Sequence, residues 1–264
     1  MSLGILIGCF YVLQTAFLLP LKDNRPQQRG FPWMTATLVA INTLIHIAVA
    51  LWLTTQTVPD DQPPWLPIYP FMQVPQLILD GEGLGALSSL TAMFLHGDWS
   101  HLIGNMFFLW FFGRKVEDLT GSMRFGLFYL LVGFASGLIS VVANILFFPA
   151  TTYIPGLGAS GAISGVMGAY LFLYWDEHIT TLVAASLQGC LIPFPWPVKL
   201  PAWVFLVYSF LKDALLGQIA LELVEIAPEF FLGVGVFAHM GGVVTGLIFI
   251  FLFLHPEALA YRRG

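Results

Sequence analysis

Seven apolar runs, each about 20 residues long, decide what this chain can become. They cover roughly residues 3–19, 35–53, 88–112, 123–148, 158–175, 201–219 and 230–254. A helix needs about 20 predominantly apolar residues to cross a hydrocarbon core of about 30 Å. In lipid it must also satisfy its backbone polar groups internally, which a helix does. Of the 264 residues, 58% are hydrophobic and only 9% are charged, whereas soluble domains carry about 25% charged residues. The chain therefore reads as an all-α polytopic membrane protein. The strand-length alternation of an outer-membrane barrel is absent. No basic cluster suggests nucleic acid, and the net charge of −5 says little about orientation. Cys9 and Cys190 fall in distant segments and offer neither disulfide nor metal spacing.

The loops sort by charge. Lys22, Arg25 and Arg29 precede the second run, and Arg114, Lys115 and Arg124 separate the third from the fourth. Lys199 precedes the sixth, and Arg262 and Arg263 follow the last. The alternate loops hold Asp60, Asp61, Asp80 and Glu82, then Glu222, Glu225 and Glu229; Lys212 alone falls outside the basic set. Positive loops stay in the cytoplasm. The expected topology thus has a cytoplasmic C-terminus and an exterior N-terminus. Residues 54–87 carry Pro59, Pro63, Pro64, Pro67, Pro70 and Pro75 beside Trp65, Tyr69 and Phe71. So much proline excludes a span and the aromatics suit the interface, which predicts an exterior loop with a short helix around 71–80. Residues 179–198 end in Pro193-Phe194-Pro195-Trp196-Pro197 and read as a hairpin or half-buried cytoplasmic segment. The first run lacks a basic start and a small-residue cleavage site, so it reads as an extra helix rather than a cleaved signal. The expected organisation is residues 1–30 as extra helix and basic linker, 31–255 as the transmembrane domain and 256–264 as a short cytoplasmic tail. With no organelle-targeting segment evident, the expected location is a prokaryotic plasma membrane.

Polar residues inside such runs point to chemistry, because intramembrane polar groups are costly and usually functional. Ser160 lies in Gly158-Ala159-Ser160-Gly161 and opens an apolar run. A helix N-terminus offers free N–H groups and a dipole that stabilise a developing anion. The same string also serves helix packing, through Gly161 and Gly165. His239 lies in Ala238-His239-Met240-Gly241-Gly242, with Gly242 and Gly246 on its face. Those glycines would let its helix approach the Gly161 face and bring an imidazole near Ser160, the pairing nucleophilic catalysis needs. A histidine bonded to a carbonyl, or lining a proton path, is the alternative. His101 and Asn105 are one helical turn apart and can both donate to an oxyanion. Metal ligation is the alternative there. His96 and His101 are five apart, poorly placed on one face, with no His-Glu-x-x-His pattern, so no metal is expected. His46, His178 and His255 have no matching partner in sequence; Asn144 reads as packing and Glu117 as a loop-fixing carboxylate.

Taken in order, His96-Gly-Asp-Trp-Ser-His101-Leu-Ile-Gly-Asn105, Phe112-Gly-Arg-Lys-Val-Glu117-Asp, Gly158-Ala-Ser160-Gly161 and Ala238-His239-Met-Gly-Gly242 resemble the rhomboid intramembrane serine proteases. The resemblance covers roughly residues 31–255 and implies a six-helix core, here with an additional N-terminal transmembrane helix. It implies Ser160 as nucleophile and His239 as general base, a dyad without an orienting acid. His101 and Asn105, with the Ser160 N–H, would hold the oxyanion. His96 would be structural, bonding to the long first loop, and Gly158, Gly161, Ser164 and Gly242 would support the site. The implied substrates are transmembrane helices of other proteins, cleaved near the membrane boundary, with no cofactor and no metal. Membrane lipid and those substrates are the expected partners.

Three features depart from the family pattern. Ser164 stands four after the nucleophile, where an aromatic often stacks on the histidine. The first loop lacks the Trp-Arg pair of some members. The extra helix makes the arrangement one-plus-six. Two other classes compete with a protease: an inactive relative that binds membrane-protein clients, and a transporter with His101, Asn105 and His239 along its path. The transporter reading lacks the inverted repeat many such proteins show.

Overall fold

The computed structural model describes residues 16–24, 27, 30–187, 190–193, 196–223 and 235–254. In chain order the elements are strand β1 (Ala16–Asp23), helix α1 (Trp33–Leu53), a 3-10 turn at Leu66–Phe71, α2 (Pro75–Asp80) and α3 (Ser88–Thr91). Then come α4 (Trp99–Phe108), α5 (Arg114–Thr120), α6 (Ser122–Phe147) and α7 (Ser160–Tyr174). Strands β2 (His178–Leu187), β3 (Cys190–Pro193) and β4 (Val198–Pro201) precede α8 (Ala202–Leu223) and α9 (Val236–Phe253). Among the described residues, four helices are long and apolar enough to cross a membrane: α1, α6, the Ala202–Ile219 part of α8, and α9; Gly85–Phe94 and α7 are shorter apolar helices. The protein is mostly helical and integral to a membrane.

The chain divides into two compact units, Gln27–Tyr170 with Phe237–Gly264, and Met1–Pro26 with Leu171–Val236. Within the first, Phe125, Phe128 and Tyr129 of α6 are fully buried, as are Phe112 and Tyr170, whose rings meet edge to face at 4.9 Å. Small residues let neighbours close on α6: a methyl group added at Gly137 would lie 2.6 Å from Gln73 Nε2 and 3.0 Å from Ser89 Cβ.

The run expected to span 88–112 is broken. Leu95 and Asp98 are extended, and Asp98 caps α4 by accepting from the His101 N–H. An acceptor at the N-cap satisfies one of the unpaired donors of a helix start, so the polar stretch His96–His101 ends one helix and begins another. From Trp99 the chain stays helical to Thr120, through a π-helical turn at Leu109–Gly113. Arg114, Lys115 and Glu117, expected in a turn, therefore lie on a helix. Glu117 is buried and accepts from Met34 N (2.9 Å), Thr35 N (2.8 Å), Thr35 Oγ1 (2.7 Å) and Ser122 Oγ (2.5 Å). Pro32 gives α1 no side-chain cap, so Glu117 caps that helix from a distance and neutralises its positive end.

The second unit adds a sheet that the helical reading did not include. Strand β2 is central: β1 pairs along one edge in antiparallel register from Ala16↔Ala185 to Asp23↔Ile179, while β3 and β4 share the other. The hairpin expected within 179–198 is thus present as β2 and β3. Of the first run, Ala16–Leu19 are strand rather than helix, and residues 3–15 lie outside the described residues. Short apolar stretches do not distinguish helix from strand by pattern alone. Pro20, beside a register shift at Pro20/Lys22, fits an edge strand, where a missing N–H disturbs the ladder least. Strand β4 runs directly into α8, whose first N–H, on Ala202, donates to Glu177 O at 2.7 Å.

Candidate active site

The site is built where the first turn of α4 faces the loop leading into α7. Asp98 anchors α4: its carboxylate accepts from His101 N at 2.9 Å and Ser100 Oγ at 2.5 Å. His101 and Asn105 then follow one turn apart, both half-buried. Opposite them stands Gly158, with φ +115° and its N–H donating to Ala92 O at 2.8 Å. A methyl group there would lie 2.8 Å from His101 Nε2, 2.9 Å from His101 Cε1 and 3.5 Å from Asn105 Nδ2. Both the left-handed backbone and the crowding require glycine. Asn105 Nδ2 is buried and has no hydrogen-bond partner among the described residues. A buried donor without an acceptor is rare and needs an explanation. Ser160, two residues beyond Gly158, is half-buried and is the first residue of α7.

His239 is carried by α9, which crosses α7 backbone to backbone. A methyl group at Gly161 would lie 3.5 Å from Ala238 Cβ, the residue before His239, and one at Gly168 would lie 2.7 Å from Val243 O. At Gly242 and Gly246 it would overlap the carbonyl oxygens of Gly161 and Gly165. Small residues on both helices thus permit the approach that the sequence pattern suggests. His239 is half-buried. Ser164 is buried one turn into α7, below Ser160.

Two groups near the site were not legible as such. His46, in the middle of α1, is buried, and its ring meets Trp99 edge to face at 4.6 Å and His96 at 6.3 Å. His96 in turn lies 5.2 Å from His101, ring to ring. His96 was expected to bond to the first loop. Neither of its ring nitrogens makes a well-formed hydrogen bond among the described residues. The second group is Gln73, which pairs with Gly156 as a short antiparallel bridge: Gln73 N to Gly156 O at 2.9 Å and Gly156 N to Gln73 O at 2.8 Å. Its side chain donates to Ser89 Oγ at 2.7 Å, and Gln76 N donates to Thr152 O at 2.9 Å. Tyr69 adds a bond to Tyr153 O at 3.1 Å. The loop that lacks a Trp-Arg pair is therefore tied to the segment preceding Ser160 by backbone pairing. Only the ring-bearing character of His46 within a span could have flagged it; nothing in the sequence marks Gln73.

A Rhomboid domain matches residues 85–256. RHOMBOID-like protein 6, mitochondrial, of Arabidopsis thaliana is 29% identical over 256 residues, covering 88% of this chain and 72% of that protein. RHOMBOID-like protein 1 of Arabidopsis thaliana is 26% identical, over 90% of this chain and 58% of its own length. Rhomboid protease GluP of Bacillus subtilis (strain 168) is 42% identical over 84 residues, 32% of this chain and 15% of that protein. This chain thus spans a little over half to under three quarters of the two plant relatives. These names reach from a mitochondrion to a bacterium and lend no support to the expected prokaryotic plasma membrane. With the match spanning most of the helical core and all four motifs, the chain belongs to the rhomboid family.

Proposed function

We propose that this protein is an intramembrane serine endopeptidase that cleaves transmembrane segments of other membrane proteins. The observation that carries this reading is the unpartnered, buried Asn105 amide, set with His101 around Gly158 just before Ser160. Preorganised donors aimed where negative charge will develop are what acyl transfer needs, and they must be unpaired at rest to serve. Family membership and similarity to the bacterial rhomboid protease support the same class.

In this mechanism His239 accepts the Ser160 hydroxyl proton as Oγ attacks the scissile carbonyl carbon. The carbonyl π-electrons move to oxygen, and His101, Asn105 and the Ser160 N–H bind the resulting oxyanion. As the C–N bond breaks, the imidazolium returns the proton to the leaving amine. A water molecule, deprotonated by His239, then attacks the acyl-enzyme ester, and as the C–Oγ bond breaks the imidazolium returns that proton to Ser160 Oγ. Helix α7 has 15 residues, about 22 Å of rise, against a hydrocarbon core of about 30 Å. A helix that short can begin below the surface and still reach the far side, which suits a serine within the membrane served by a cavity open to the exterior. A substrate helix must unwind to present its carbonyl, which small or helix-destabilising residues favour.

The test uses purified protein in detergent with a labelled transmembrane substrate, beside Ser160→Ala and His239→Ala. Cleavage by the wild type and its loss in both variants is expected. Equal cleavage by all three would sink the dyad. The second reading, an inactive relative that binds membrane-protein clients, predicts substrate binding with no labelling of Ser160 by a fluorophosphonate.

A further inference from the structure

His46 is an ionisable side chain buried inside a membrane-spanning helix, the kind of group that is costly unless it is used. Its neighbours are rings. It stands nearly perpendicular to Trp99, at 4.6 Å and 86°, and to His96, at 6.3 Å and 85°. His96 meets His101 at 5.2 Å and 73°. A row of edge-to-face rings therefore runs from the middle of α1 to the imidazole that faces Gly158.

The orientation of His101 needs such a support. The Asp98 carboxylate is engaged by the His101 backbone N–H and by Ser100 Oγ, not by the ring. Neither ring nitrogen of His96, beside it, has a well-formed hydrogen bond among the described residues. The tilt of the His101 ring is bounded by packing, against His96 on one side and Gly158 on the other. Edge-to-face contacts are directional, because the positive edge of one ring meets the negative face of the next. Removing the first ring frees Trp99 and His96, and through them His101.

Resting on the reading of Ser160 and His101 given above, we propose that His46 is a positioning residue: through Trp99 and His96 it sets the tilt of the His101 imidazole toward the oxyanion position. It touches no reacting atom. Its loss should therefore weaken transition-state binding and leave substrate binding intact.

The experiment compares wild type, His46→Leu and His46→Phe, with Ser160→Ala as the blank. Leu keeps an apolar side chain but no ring; Phe keeps the edge-to-face contact. We expect His46→Leu to lower kcat about ten-fold with KM within about two-fold of wild type, and His46→Phe to recover most of the loss. Nuclear magnetic resonance of ring-labelled histidine, with the His101 signal assigned by its disappearance in His101→Ala, supplies a readout independent of cleavage. That signal should move in the Leu variant and return in the Phe variant, while both keep wild-type melting temperatures. An unchanged kcat in His46→Leu overturns the proposal, as does a Phe variant as slow as the Leu variant. So does an effect confined to KM, or a His101 signal unmoved by loss of the ring. Should wild type itself fail to cleave, the enzymatic reading falls, and the His101 signal still decides the role of His46.

Discussion

At Gly158 the backbone and the surrounding space make the same demand. A side chain there would meet a φ of +115°, which favours glycine, and would collide with His101 Nε2 at 2.8 Å. The first term strains the fold by about 1–3 kcal/mol; the second moves His101, the proposed oxyanion donor, and displacements near 1 Å cost about a hundred-fold in rate. Gly158→Ala should therefore fold but lose at least about a hundred-fold in kcat/KM, measured by cleavage of the labelled substrate. A rate like that of wild type would mean that His101 and Asn105 are not aligned on Gly158. Ser160, His239, His101, Asn105 and Gly158 all stand within short motifs, so they could be picked out from sequence. His46 and Gln73 could not, because their meaning lies in contacts made over long separations: His46 with Trp99, and Gln73 with Gly156. Ser164 shows the opposite case, a departure visible in sequence whose consequence is only that a small buried hydroxyl occupies the turn below Ser160.

Between α7 and α9 the fit is set by absent side chains. A methyl group on Gly246 would overlap Gly165 O and lie 2.6 Å from both Gly165 C and Gly165 Cα, all backbone atoms with nowhere to move. Gly246→Ala should therefore destabilise by about 2–3 kcal/mol, the upper part of the range of about 1–3 kcal/mol for overpacked cores, read from denaturant unfolding in detergent. Gly104→Ala on α4, with nothing within 4 Å of the added carbon, is the control expected to match wild type. If Gly246→Ala unfolded with the control, the two helices would not be in backbone contact. The small-residue spacing at Gly161, Gly165, Gly242 and Gly246 was legible, because lipid offers no hydrophobic drive and close packing must do the work. Element boundaries were less so. The 88–112 run was read as one span although His96-Gly-Asp-Trp-Ser-His101 interrupts its apolarity, and there the N-cap chemistry of Asp98 starts a new helix. The sheet was missed for a related reason: Ala16–Leu19 are as apolar as a span, and their pairing with Leu182–Ala185 is not written locally.

Across the first unit, the hydrogen bonds divide the loops into two ends. The 54–87 loop is tied to the 149–158 segment through Gln73–Gly156, Gln76–Thr152 and Tyr69–Tyr153. At the other end of α1, Glu117 binds Met34 and Thr35 and also Ser122, drawing the Arg114–Thr120 helix and the start of α6 to that end. The acidic residues Asp60, Asp61, Asp80 and Glu82 lie in the first group, whereas Arg114, Lys115 and Arg124 lie in the second. Loop charge sets orientation through its lysines and arginines, so the second group should be cytoplasmic and the first, with Ser160 behind it, exterior. Single cysteines in a background with Cys9 and Cys190 replaced by serine test this in sealed vesicles of known orientation. Gln62→Cys, in the exposed loop, should react with a membrane-impermeant maleimide from outside. Met123→Cys, at a position 72% exposed at the start of α6, should react only after the membrane is permeabilised. Reaction of Met123→Cys from outside would invert the molecule and put Ser160 on the cytoplasmic side. The substrates within its reach would then be those cut near the inner face, even with the dyad chemistry unchanged.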